Sequence, residues 1–236
     1  MITGDQNAGV CDTNASYVTH GIGVNALAST PYNVAVGGTD FSDTYSRTNG
    51  TYWSSGNTSA DGSSNSYIPE IPWNDSCASR LLATYLGYAT TFGASGFCNS
   101  STGETYFLNN EGGSGGPSAC ATGTPSNPGV VSGNCAGYPK PSWQAGVVGI
   151  PNDGVRDLPD VSLFAGNGLR SHYYVFCYSD PTSGYGGAPC TGAPSGWSSA
   201  GGTSFATPIM AGIQALANQN AGGRQGNPLM NPLIFR

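Results

Sequence analysis

The sequence of 236 residues has little charge: 8% of its positions are Asp, Glu, Lys or Arg, with one lysine (Lys140) and two histidines (His20, His172). Coiled coils and helical bundles run on Glu, Lys and Ala, and disordered tails on high net charge, so these classes are excluded. Seven basic residues face thirteen acidic ones, for a net charge of −6. No basic patch awaits a polyanion, which excludes nucleic acid as a partner. No apolar run approaches membrane-spanning length, which excludes an integral membrane protein built on helices. The opening residues Met1 to Gly9 have neither a basic nor an apolar region, so they form no secretory signal. None of the seven cysteines stands in a Cys-x-x-Cys pair, so the close-spaced ligands of a zinc cluster are missing.

What is present is polarity without charge: 37 Gly, 28 Ser, 20 Thr and 19 Asn. That composition fits a loop-rich domain, and the length suffices for a sizeable core. The scattered cysteines (Cys11, Cys77, Cys98, Cys120, Cys135, Cys177, Cys190) point to disulfides in an oxidising, extracellular compartment. Cys177 with Cys190, and Cys120 with Cys135, are candidates to staple one loop each, though the connectivity stays open. The odd count implies a free thiol or a partner outside this chain.

Tyr32 to Gly37 reads as a buried strand between Pro31 and the Gly37-Gly38 pair, and Arg80 to Tyr88 as a short helix. Residues 91–142 form a long irregular stretch. Gly146 to Ile150 and Tyr173 to Tyr178 are further strand candidates. The strongest helix begins near Ser204, with Ile209, Ile213, Leu216 and Ala217 on one face, and ends over Asn218 to Gly222. Strands mixed with one strong helix suggest α/β or α+β.

At the start of that helix stands Gly201-Gly202-Thr203-Ser204-Phe205-Ala206-Thr207-Pro208. A serine there has a physical rationale as a nucleophile, because free N–H groups and the helix dipole favour a developing oxyanion. The glycines before it permit close approach of a substrate backbone. An ordinary helix cap is the competing explanation for a bare Gly-Thr-Ser. The whole octapeptide is more specific, and it resembles the nucleophile motif of the subtilisin-like serine peptidases.

The resemblance extends along the chain. Gly4-Asp5-Gln6-Asn7-Ala8-Gly9 is similar to the sedolisin Gly-Asp-x-Gly element, and Ser29 to Thr39 to its Ala-Val-Gly-Gly-Thr strand. Glu70 to Asp75, the glycine cluster Gly112 to Ser118, Pro139 to Gln144, Arg156 to Ser162 and Asn231-Pro-Leu follow in the family's order. The resemblance implies a serine-carboxyl endopeptidase of the sedolisin (S53) family, acting on polypeptide in acid, with an α/β fold around a mainly parallel, subtilisin-like sheet. Ser204 then matches the nucleophile and Asp5 the oxyanion acid. Gly115, Gly116, Ser118, Gly201, Gly202 and Thr203 are candidates to border the substrate. Acid chemistry suits a carboxylate base, since histidine stays protonated at low pH. The oxyanion Asp must by contrast hold its proton in order to donate.

The base itself is where the sequence departs. The family carries it as Glu-x-x-x-Asp, whereas Glu70, Glu104 and Glu111 are followed four residues on by Asn74, Leu108 and Gly115. The family's structural calcium site follows the nucleophile helix, and no Asp or Glu occurs after Asp180. The resemblance therefore implies residues 1–236 to be one partial catalytic domain, truncated at both ends, without its first half and its calcium-binding tail, and inactive alone. Its own pro-segment is a further partner of the family. Two alternatives stand beside this reading. One is a non-catalytic, disulfide-held binding module; the other is a His-dependent hydrolase using Asp5, His20 and Ser204. Asp160 is expected to be a buried structural carboxylate, and Trp73 and Trp143 packing residues.

Overall fold

The computed structural model describes residues 1–12, 19–59, 62–127, 131–169, 172–180, 190–192 and 196–222. Its elements are β1 (Val36–Phe41), α1 (Asp43–Ser46), α2 (Asn49–Tyr52), β2 (Glu70–Pro72), α3 (Arg80–Tyr85) and α4 (Ser101–Tyr106). Next come β3 (Gly116–Pro117), β4 (Cys120–Thr122), β5 (Ala136–Gly137), β6 (Asp157–Leu158) and β7 (Val161–Phe164). The chain then forms β8 (Tyr174–Phe176), β9 (Ser198–Ala200) and α5 (Thr203–Asn220). Helices and strands thus mix along the chain, as an α/β architecture requires.

The central sheet has the order β2-β1-β7. β1 runs parallel to β7 and antiparallel to β2, so the sheet is mixed rather than mainly parallel. Ile2 adds a parallel bridge to Val36. Gly37 lets the strands close on their surroundings: a Cβ there would stand 2.6 Å from Pro159 Cγ and 2.7 Å from Ser162 Oγ. The other named strands pair in three two-stranded ladders, β3-β6, β4-β5 and β8-β9.

The expected strand at Tyr32 is displaced. Pairing starts only at Val36, because Asn33 Nδ2 bonds the carbonyls of Leu27 and Thr30 and ties residues 27–33 into a turn. Tyr32 lies exposed. Gly146 to Ile150 forms no strand, since Gly146 (φ 78°) and Gly149 (φ 92°) hold left-handed turns. The α3 helix stops at Tyr85, and Gly87 at φ 91° turns the chain away. The segment 91–142 is less irregular than its composition suggests, holding α4 and β3 to β5. Asn231-Pro-Leu lies outside the described residues.

Three disulfides form: Cys77–Cys98, Cys120–Cys135 and Cys177–Cys190. Two are the loop staples expected from spacing. The third fastens α3 to the 3₁₀ turn at Phe97–Asn99, around a cluster of Cys77, Leu82, Ala83, Phe97, Cys98 and Phe107. Cys11 lies outside the three bridges.

The α5 helix packs on β1 and β7 through Ala206 and Met210, which join Val36, Trp73 and Ala165 in the main core. The predicted apolar face overlaps the packed one only in part: Ile213 and Ala217 continue the row of Ala206 and Met210, whereas Ile209 and Leu216 lie to one side of it. Ile209, Ile213 and Leu216 are 39%, 45% and 67% exposed, while Thr203, Ala206 and Met210 face inward. No charge marks either side of α5, so periodicity alone cannot choose. Close approach does choose: Gly38 beneath the helix leaves room only for small groups, and a Cβ there would stand 3.3 Å from Thr203 Cγ2. No helix among the described residues is long and apolar enough to cross a membrane.

Candidate functional site

Residues 4–7 are zipped to residues 110–114. Ser114 N donates to Gly4 O, Gly112 N to Asp5 O and Asn7 N to Gly112 O, at 2.9–3.0 Å. Asn7 Nδ2 adds bonds to the carbonyls of Asn110 and Glu111. Trp73 backs this zipper, since its carbonyl accepts from Gly113 N, while its indole N–H donates to Asp75 at 2.6 Å. The short Gly-Asp segment is thereby held by backbone bonds to residues 112–114, which Trp73 holds from their other side.

From this support Asp5 reaches the start of α5. Its Oδ1 accepts the Thr203 N–H at 2.8 Å and the Thr203 hydroxyl at 2.6 Å, across a sequence separation of 198. A carboxylate at a helix N-terminus satisfies an otherwise orphaned donor and meets the positive end of the dipole. The other oxygen, Oδ2, faces Gly202. A Cβ on Gly202 would stand 2.8 Å from it, and Gly202 holds φ 110°, a conformation L side chains avoid. Gly201, which lines a cleft together with Asp5 and Gly202, also meets a packing need. The space its Cβ would take is filled by Gly166 O at 2.1 Å, so this glycine permits two stretches of the protein's own backbone to cross.

Ser204 follows in the first turn of α5, with its residue surface exposed. Pro208 has no N–H, so the carbonyl of Ser204 lacks its helical donor. Beside Asp5 and Gly202 opens a cleft of about 320 Å³ lined by these two with Gln6, Trp73, Glu111, Asn167 and Gly201, among others; Ser204 follows two residues after this lining and is not part of it. Glu111 Oε1 accepts from Asn167 Nδ2 at 2.5 Å, which fixes a second carboxylate in the same cleft. From sequence, Glu111 is weighed only as the family's base and set aside on its spacing, and Asn167 is not singled out. They reach the cleft through loops, and no spacing rule links them to residue 5.

The candidates therefore divide. Asp5, Gly201, Gly202 and Thr203 come together beside Ser204. Gly115 lines a neighbouring groove that shares Gln6, Asn109 and Asn110 with the cleft. Gly116 and Ser118 belong to the wall behind it: Gly116 pairs with Leu158, and the fully buried Ser118 accepts from Tyr138 N and donates its N–H to Arg156 O. Trp73 is a core residue, 2% exposed, that also lines the cleft.

Both histidines are engaged elsewhere. His20 Nδ1 lies 3.0 Å from Asp12 Oδ1, not on Asp5, and His172 Nε2 lies 2.9 Å from Asp43 Oδ1. The His20 hydrogen bond, seconded by the Thr19 N–H, lowers the Asp12 carboxyl to about 2. No cluster of three His, Cys, Asp or Glu side chains suited to a metal occurs among the described residues. The chain matches no protein-family model, and no curated protein matches it.

Proposed function

We infer that this chain carries the nucleophile and oxyanion half of a serine-carboxyl peptidase site on a subtilisin-like scaffold. The observation that supports the reading best is the pair of bonds from Thr203 to Asp5, which sets a carboxyl group beside Ser204 and leaves one of its oxygens uncommitted to the helix. In this reading Ser204 Oγ attacks the acyl carbon of a peptide. Asp5 Oδ2, carrying a proton, donates to the developing oxyanion together with the Ser204 N–H. The C–N bond breaks as the Ser204 hydroxyl proton passes to the departing amine, and water later takes the acyl group from Ser204 as a carboxylic acid and returns the proton to Oγ.

The donor requirement makes the site an acid-side one, because an ionised Asp5 has no proton to donate. The general base is not supplied by a Glu-x-x-x-Asp helix of this sequence, so turnover of peptides by the chain alone is negligible. The calcium site of the family finds no fit here: no carboxylate follows Asp180, and no step passes through a metal. The disulfides fit a secreted protein.

The test is single-turnover acylation by p-nitrophenyl acetate, whose leaving group departs without a general acid. Acetyl transfer to Ser204 Oγ, located by peptide mass, is expected below neutral pH and absent in Ser204→Ala. Asp5→Asn keeps an acceptor for Thr203 and a permanent N–H donor, so it should acylate with the acid dependence flattened. Acetylation at other residues, with Ser204 untouched, sinks the peptidase reading and favours the binding module.

A further inference from the structure

On the flank of the molecule built by α1 and α3, the geometry points to a binding site for a tetrahedral oxyanion ester, a phosphate or sulfate monoester, held by Arg47 and Arg80. The inference assumes nothing about the Asp5 cleft. It starts from the distribution of charge. Four basic side chains lie among the described residues. Arg156 is spent on Asp160, and Lys140 on Asp157 and Asp153. The remaining two, Arg47 and Arg80, are exposed, have no carboxylate partner among the described residues, and line one pocket of about 370 Å³. Tyr45, Leu81, Thr84 and Tyr85 complete the lining, so the pocket wall contains no acid. In a protein of net charge −6, this is a local reversal of sign that the overall composition conceals.

The support under the pocket is firm. Leu82 and Ala83 bury the inner face of α3 against the Cys77–Cys98 disulfide, which turns Arg80, Leu81, Thr84 and Tyr85 outward. Tyr45 of α1 meets Tyr85 edge to face, with centroids 5.8 Å apart. Arg47 caps α1 in the left-handed conformation (φ 60°, ψ 39°), where glycine or asparagine is usual. Its guanidinium lies 5.7 Å over the Tyr85 ring.

The ligand class follows from donor counting. Two guanidinium forks offer more N–H groups than the two oxygens of a carboxylate engage, whereas a tetrahedral ester presents three terminal oxygens. The tyrosine rings and Leu81 flank its organic part.

The test is calorimetric titration of the full chain at low salt with phenyl phosphate, phenyl sulfate and acetate, at pH 7 and pH 4. Saturable binding of at least one phenyl ester, with acetate much weaker, is expected. Phosphate weakening on going to pH 4 while sulfate holds identifies which source prevails, since only phosphate takes up a proton there. Arg47→Gly suits φ 60° and should keep or raise the melting temperature while weakening binding about tenfold or more; Arg80→Gln should weaken it similarly. Equal binding of acetate, no saturable heat with either ester, or undiminished binding in both folded variants overturns the proposal.

Discussion

Asp5 and Asp160 are both carboxylates that tie distant parts of the chain together, and they are tied differently. Asp160 is 3% exposed and has both oxygens engaged. Arg156 Nη1 and Nη2 grip it in a fork at 2.8 and 2.7 Å, Ala35 N donates to Oδ2, and Gln144 approaches Oδ1. Arg156 is itself fully buried and donates through Nε to Ser29 O. Asp5 is half-buried, gives Oδ1 to Thr203 and turns Oδ2 toward Gly202 at a cleft. A carboxylate whose lone pairs are all taken holds structure and nothing else. One with a spare oxygen at an opening keeps chemical capacity, and that is the contrast on which the functional reading of Asp5 depends.

Three measurements test this contrast, from the largest expected effect to the smallest. Arg156→Ala strands the Asp160 charge in the core and should destabilise the protein by about 3–5 kcal/mol, measured by denaturant unfolding. Asp5→Ala removes only a helix-capping acceptor, for about 1–2 kcal/mol, yet should abolish Ser204 acylation. A loss of stability as large as that of Arg156→Ala would make Asp5 a second structural node and dissolve the comparison.

The smallest effect belongs to a third carboxylate, Asp12, which ends the 3₁₀ turn Val10–Asp12 and meets His20. Its carboxyl is held below the usual range, at about 2, first by His20. A depressed carboxyl contributes stability above its unfolded value, and that contribution fades as the pH falls through about 2. His20→Ala should raise the Asp12 titration midpoint toward the ordinary value of 3.8 and remove part of this stabilisation at every pH above it, the smallest of the three losses. Carbonyl-detected titration of Asp12 reads this directly. A midpoint that stays near 2 would assign the shift to the Thr19 and His20 backbone N–H groups instead.

How much of this was legible in the residues varies with the range of the signal. The start of α5 was readable from Gly201-Gly202 and its end from Asn220 and Gly222, because caps act within one turn. Two disulfides were readable from short loops, with separations of 15 and 13, whereas Cys77–Cys98 at 21 was not singled out. The burial of Asp160 was expected, and one of its donors is the backbone N–H of Ala35. The fork comes from Arg156, four residues away, which spacing did not suggest, since i,i+4 neighbours meet reliably only inside a helix and these residues flank β6. The Tyr32 strand failed because a side-chain turn at Asn33 overrode apolar composition.

By itself, the sequence determined the local grammar: where glycine and asparagine stop helices, which cysteines lie close enough to pair, and that serine stands at the N-terminus of an uncharged helix. Only the tertiary structure decided which side of that helix packs, that Asp5 meets Thr203 across a separation of 198, and that Glu111 and Asn167 share their cleft. It also decided that Arg47 and Arg80 gather in one pocket. The reason is physical: propensity and capping act over a few residues, while these meetings depend on the chain burying its apolar surface as a whole, and loop closure costs little more for long separations than for moderate ones.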